Sequence, residues 1–431
     1  MFRLALEEAF PARFTGSRVS RHRDPEDFAV ALVRAVIAQA TVTDAPVHDG
    51  VDEQVAELLG AAATDGQTLR FVELVQNLDV AAVDGAVVAG FRFHGFGDIS
   101  GHRFDRLRRA VSRELPEAIY VAERTPLPGP RDTPAMLVAE MTSAQDAWGV
   151  RLEMTRRAGQ LLTALRLATG ATIEESTAWI GEPRLVHIEA PLLVLSLDHG
   201  WRSLRRVGSL RPEDLDGLGS LTSLVADVET RGVDPLVVAL GRFNRTFRPG
   251  IWQDIVLDLA IALEAVLAAN RRDEIGHALR TRAAILLATP GDPSDLVYDH
   301  VKPLYDLRSR VVHGGAYTQK EWTDLFRRFG ATHALDADKM AVVIDRWRDL
   351  VRRAILTRIA LGMTRRSPAE WRHGQEVAID RVLASPDGRR RWRTRVRTVL
   401  TTTGLPTAVR EAPPLIDRLA ERPKVTDVRG D

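Results

Sequence analysis

Residues Ile255-Val-Leu-Asp-Leu-Ala-Ile-Ala-Leu-Glu-Ala-Val-Leu267 are apolar almost all round a helical wheel. A helix of that kind does not rest on a surface; other elements must enclose it on several sides. The neighbouring segments can do so. From Pro212 onward the pattern reads as helices only. Asp234-Pro235 opens one that runs through Arg242-Phe-Asn-Arg-Thr-Phe247, and Trp252 to Ala268 holds the apolar run. Asp273 to Leu287 follows, and Pro293-Ser-Asp295 caps the next helix. Trp322 to Phe329 is a short element. Ala337 to Gly362 reads as a long amphipathic helix with arginines on its wet face.

The first half has a different texture. Residues 1 to about 78 read as mostly helical, with Asp24-Pro25-Glu26-Asp27 as a start signal. Residues 85–93 and 117–123 look like strands, with a helical stretch over 102–114 between them. Pro126 to Pro134 is rich in turn residues. A long helix is predicted from about Ala144 to Ala168, and 184–189 with 191–197 resemble a strand pair. The fold class expected is α+β. A mixed α/β region spans 1–225, an all-α unit 226–364, and an arginine-rich helical extension 365–431.

Composition removes several function classes. There is no cysteine, which excludes disulfides, zinc ribbons and thiolate catalysis. Net charge is +1, so no whole-molecule field steers the chain toward nucleic acid. No apolar run approaches the ~18 residues of a membrane span, and Met1-Phe-Arg-Leu-Ala-Leu-Glu-Glu8 lacks the layout of a signal peptide. A cytoplasmic protein with no membrane partner is expected. Lysine occurs only at Lys302, Lys320, Lys339 and Lys424, while arginine dominates after about residue 345. The bias of a GC-rich genome accounts for that, so arginine abundance is not functional evidence.

The chemistry concentrates in Leu304-Tyr-Asp-Leu-Arg-Ser-Arg-Val-Val-His-Gly-Gly315. Leu304, Leu307, Val311 and Val312 form one buried helical stripe. Arg308 projects within roughly 40° of it. An arginine beside a packed face needs a carboxylate, a phosphate or a subunit boundary. Glu264, stranded on the most apolar helix, is the expected partner, with Arg282 in competition for it. His313 comes last, followed by a glycine stop. An imidazole titrating near neutrality can take and give a proton; as a helix-end cation it can equally satisfy terminal carbonyls. Arg310 is a rival to Arg308 for phosphate, or an ion-pair partner of Asp306. Arg308 and His313 stand roughly 140° and ~7.5 Å apart along a straight helix, so one helix does not aim them at one point.

This arginine and histidine, with four residues between them and ending in His-Gly, resemble the R-x4-6-H motif of HEPN ribonucleases, and the wording "YDLRSRVVHGG" is most similar to the Apea-like branch. The segments "ALRL" (Ala164 to Leu167), "RFNRTF", "IALEAVL" and "ALRTRAAILL" precede it in the order found in that branch. The resemblance covers about 235–362. It implies that residues 226–364 form an all-α HEPN helical bundle with metal-independent endoribonuclease activity and no cofactor. His313 would be the general acid or base, and Arg308 the phosphate ligand. Ser309, Arg310 and Glu264 would support them. The resemblance also implies an RNA substrate such as tRNA, a homodimer whose two motif copies line one cleft, and a role in anti-phage defence or a toxin-type system. Residues 1–225 would sense a trigger or hold the site inactive. The rival reading is a non-catalytic HEPN scaffold that binds RNA or protein.

Outside that region the signals are weaker. Arg389, Arg391, Trp392 and Arg393 interleave an aromatic with arginines, as an RNA-binding strip does, although a solvated helix face explains them better. His48-Asp49 and Asp52-Glu53 match no metal-ligand spacing. The glycines between Gly90 and Gly101 form no nucleotide loop.

Overall fold

A computed structural model describes residues 67–95, 135–143, 147–181, 194–195, 207–230, 235–248, 250–268, 274–289, 292–331, 336–362 and 384–390. The expected helices over 1–66 and 102–114, the strand at 117–123, the turn-rich stretch to Pro134, the strand at 184–189 and the acidic pairs near His48 lie outside them. The architecture is α+β, helix-rich with a small sheet in the N-terminal part. The chain divides into two compact units, one of Met1–Leu162, Ile173–Leu197 and Val207–Leu215, the other of Thr163–Thr172, Asp198–Arg206 and Asp216–Asp431.

The first unit is built on β1 (Gln67–Gln76), which pairs antiparallel with β5 (Ala135–Ser143) on one side and β6 (Glu174–Gly181) on the other. The chain also forms β2 (Leu78–Asp79), β3 (Val87–Val88), β4 (Phe91–Gly95), β7 (Val194–Leu195) and β8 (Gly208–Ser209). The sheet order is β3-β4-β5-β1-β6-β7, with β2 and β8 pairing apart as a short parallel ladder. The helical expectation for residues up to 78 is therefore corrected at its end. Leu69, Phe71, Val72, Leu74 and Val75 are all buried: β1 is covered on both faces, so its apolar residues lose the period-two alternation that marks a strand. Hairpin β3–β4 turns through Ala89 and Gly90, both at positive φ, the geometry of a tight two-residue hairpin.

Helix α1 (Ala147–Thr169) follows the expected long helix closely. The second unit contains α2 (Leu215–Glu229), α3 (Pro235–Arg245), α4 (Trp252–Leu267), α5 (Ile275–Leu287), α6 (Ser294–Val312), α7 (Gln319–Arg328) and α8 (Asp336–Gly362). Helix α4, the apolar run, packs against α3, α5, α6 and α8, as its wheel requires. Among the described residues no helix is long and apolar enough to cross a membrane.

Helix α8 departs from its expectation. Arg346, Arg348 and Arg352 are buried rather than on a wet face, because α3, α4, α5, α6 and α7 all pack against this helix. Each guanidinium finds an internal acceptor. Arg346 forks onto both carboxylate oxygens of Asp292 at 2.7 and 2.8 Å. Arg348 donates to the Thr246 carbonyl, and Arg352 to the Leu167 carbonyl at 3.1 Å and to Asp349 at 2.7 Å. Arg353 adds contacts to Asp292 and Asp349. Burial alone raises the Asp349 carboxyl, but Arg353, Arg352 and Arg346 override it and hold it well below the usual range.

Candidate functional site

Helix α6 enters from Pro293, which is extended and makes no side-chain capping bond; Asp295 supplies negative charge in the first turn. Pro303 lies inside this helix and has no N–H for the carbonyl of Asp299. Arg328 of α7 donates to that carbonyl at 3.3 Å instead. One residue on, His300 is clamped on both ring nitrogens. Nδ1 accepts from Arg346 at 2.9 Å, so Nε2 carries the proton and donates to the Arg328 carbonyl at 3.2 Å. Burial and the Arg346 charge push the His300 imidazole down to about 4. The first half of α6 is thus anchored before the motif begins.

In the motif itself Leu304 and Leu307 are buried. Val312, expected on the same stripe, is 56% exposed, because the last turn reaches past the helices that cover the rest. Arg308 is half-buried, with Nη2 3.5 Å from Glu264 on α4 and the guanidinium 5.7 Å from the centre of the Tyr305 ring. Tyr305 gets close to α5 through Gly276, where a Cβ would lie 3.1 Å from the ring.

The pair of Arg308 and Glu264 is loose. At 3.5 Å it lacks a short charged hydrogen bond, and Arg308 Nε and Glu264 Oε1 are buried with no hydrogen-bond partner among the described residues. Burial pushes the Glu264 carboxyl up, opposed by the nearby Arg308 charge. The expected competitor Arg282 is fully buried and donates to the Leu267 carbonyl at the end of α4.

His313 closes α6 as an exposed C-cap. Its backbone N–H donates to Ser309 at 3.1 Å; Gly314 donates to Val311 at 3.4 Å and Gly315 to Arg310 at 2.8 Å. Gly314 has φ 68°. These bonds make a complete Schellman turn, which the left-handed glycine permits. The imidazole has no hydrogen bond or ion pair with Arg308 among the described residues. Ser309, half-buried, contributes the carbonyl that receives His313.

Arg310 is engaged elsewhere than the spacing suggests. Asp306 pairs with Lys302 at 2.6 Å, whereas Arg310 reaches forward to Glu321 of α7 and to the Ala316 carbonyl at 2.8 Å. Its guanidinium lies 4.4 Å from the Tyr317 ring centre. Glu321 also completes a capping box with Thr318. The Thr318 N–H, Arg310 and the Thr318 hydroxyl together hold its carboxyl down to about 2. Burial pushes the Tyr317 phenol up to about 12, with Asp306 adding to it. Glu321 and Tyr317 are site residues that motif spacing alone does not reveal, although Thr318-Gln-Lys-Glu321 is a readable capping-box pattern.

Of the candidate strip, Arg389 is half-buried in a short helical turn at 386–390, its N–H bonded to Ser385 at 2.9 Å. Arg391, Trp392 and Arg393 lie outside the described residues. The structure therefore brings together Arg308 with Glu264, and Arg310 with Glu321, and leaves His313 exposed at the end of their helix. No family model, curated protein or solved structure matches this chain.

Proposed function

We propose that this chain is a metal-independent HEPN endoribonuclease that cleaves RNA, tRNA among its substrates, by attack of the 2′-hydroxyl on the adjacent phosphate. One arrangement carries the reading. An exposed imidazole closes a sharply terminated helix, five residues beyond a half-buried guanidinium whose Nε has no hydrogen-bond partner among the described residues. His313 takes the 2′-hydroxyl proton as O2′ attacks phosphorus, and the bond from phosphorus to O5′ breaks. The leaving oxygen takes a proton from an imidazolium, leaving a 2′,3′-cyclic phosphate and a 5′-hydroxyl. Arg308 meets the charge that develops on the non-bridging oxygens. Two copies of the helix, brought together in a homodimer, supply the shared cleft that one straight helix does not. An anti-phage or toxin-type role in the cytoplasm rests on the sequence resemblance.

The test is incubation of the full-length protein with total tRNA in EDTA. The expected products carry cyclic phosphate and a free 5′-hydroxyl. His313→Ala and Arg308→Ala are expected to slow cleavage by about 10²–10⁴-fold with little change in melting temperature. A second reading, the non-catalytic scaffold, draws on the engagement of Arg308 by Glu264 within its own chain. Absence of cleavage, or stability losses that track the activity losses, would favour it.

A further inference from the structure

The turn that carries His313 lacks the usual apolar seal. A Schellman turn is commonly closed by contact between side chains at C3 and C″; here those positions are Arg310 and Gly315. In place of that contact, the stem of Arg310 lies against Gly315, where a Cβ would meet Arg310 Cβ and Cγ at 3.6 Å. The guanidinium then reaches over the loop. It donates to the Ala316 carbonyl, faces the Tyr317 ring and pairs with Glu321. Glu321 in turn accepts from the Thr318 N–H at 2.8 Å and the Thr318 hydroxyl at 2.9 Å, while its own N–H donates to that hydroxyl at 3.3 Å. Backbone and side-chain bonds therefore close a ring from Arg310 to Glu321, and His313 is the exposed imidazole inside it. The ring ends on an aromatic cluster: Trp322 lies 5.0 Å from Tyr317, 5.6 Å from Trp252 of α4 and 5.6 Å from Phe326, centre to centre.

We infer that Arg310 and Glu321 are positioning residues: a clamp that fixes the His313 imidazole relative to Arg308 by immobilising an otherwise pliable Gly-Gly-Ala segment. Arg310 is then not the second phosphate ligand that its place in the motif suggests, since Glu321, Ala316 and Tyr317 occupy its guanidinium. The catalytic part of this inference rests on the ribonuclease reading; the mechanical part does not. An ungripped turn spreads the imidazole over several positions, and a misplacement of about 1 Å costs roughly 100-fold in rate.

Glu321→Gln is the informative variant, because glutamine still serves a capping box while removing the charge that holds Arg310. It is compared with Arg310→Ala, Arg310→Lys and wild type in the full chain by amide hydrogen exchange over residues 312–318 and by kcat and KM for RNA cleavage. The clamp predicts exchange about tenfold faster in Glu321→Gln and Arg310→Ala. It predicts kcat lowered about 10- to 100-fold with KM within about twofold, and partial recovery in Arg310→Lys. Unchanged exchange would overturn the clamp. Faster exchange with kcat unchanged would overturn its role in placing His313, as would a loss that falls on KM, the mark of a phosphate ligand. A wild-type protein that cleaves nothing would sink the ribonuclease reading and with it the catalytic part, while the exchange data would still decide the mechanical one.

Discussion

Glu264 and Arg308 face each other across α4 and α6 without a short hydrogen bond, and the carboxyl is pushed up because burial outweighs the guanidinium's pull. A carboxyl raised on folding favours its protonated form. Its contribution to stability is complete below the unfolded value of 4.5 and is lost as pH rises through the folded value. Glu264→Gln mimics the protonated state. It should melt with wild type near pH 4 and above it at pH 7, by differential scanning calorimetry across that range. A Gln variant that melts lower at pH 7 would show that the ion pair dominates instead. The pairing of these two residues was legible from the wheel alone, since each is the polar outlier on an apolar face. The partner of Arg310 was not. Spacing of four offers Asp306, but Lys302 occupies that carboxylate, and the glycine turn brings Glu321 round from the next helix.

Among the elements, α3, α4, α5 and α6 fall within a few residues of their expected bounds, α4 because its apolar run is too long for a strand and the others because of their helical start signals and periodicity. Expectation and structure part at 85–93, expected as one strand and folded as the β3–β4 hairpin, and at β1 and α8, which are covered on both faces. For β1, burial on both sides removes the alternation that would separate strand from helix. For α8, arginines that a wheel assigns to water are buried among carbonyls and carboxylates contributed by distant segments, which no local pattern announces. The energetic consequence can be measured. Arg346 and Asp292 have side chains only 3% exposed each, and removing Arg346 leaves the buried Asp292 with Arg353 alone and the buried His300 Nδ1 without its donor. Arg346→Ala should cost about 3–5 kcal/mol in urea unfolding. Arg327→Ala, which breaks an exposed pair with Asp324 on α7, should stay within about 0.5 kcal/mol. Equal effects would mean that the buried network is not holding α8.

For the molecule as a whole, the proposed chemistry calls for two copies. Sedimentation at micromolar concentration should then give a dimer. Mixing Arg308→Ala chains with His313→Ala chains should restore part of the cleavage that neither shows alone, because one mixed cleft regains both groups. A strictly monomeric protein that cleaves RNA would refute the shared cleft while leaving the chemistry standing. The division into a region with strands and a helical region was visible in the change of texture near Pro212, but the sharing of one helix between them was not, since α1 is continuous in its pattern.

That sharing limits how the chain can be dissected. The early turns of α1 belong with the sheet, whereas Thr163–Thr172 belongs with the helices, where Arg352 donates to the Leu167 carbonyl and Asn244 donates to Thr163 at 2.6 Å. A fragment cut at Asp216 would strand those donors, and one cut at Thr163 would begin midway along a helix. A truncation meant to free the His313 region from whatever precedes it therefore has to start upstream of Ala147 and carry part of the sheet's own scaffold along as ballast.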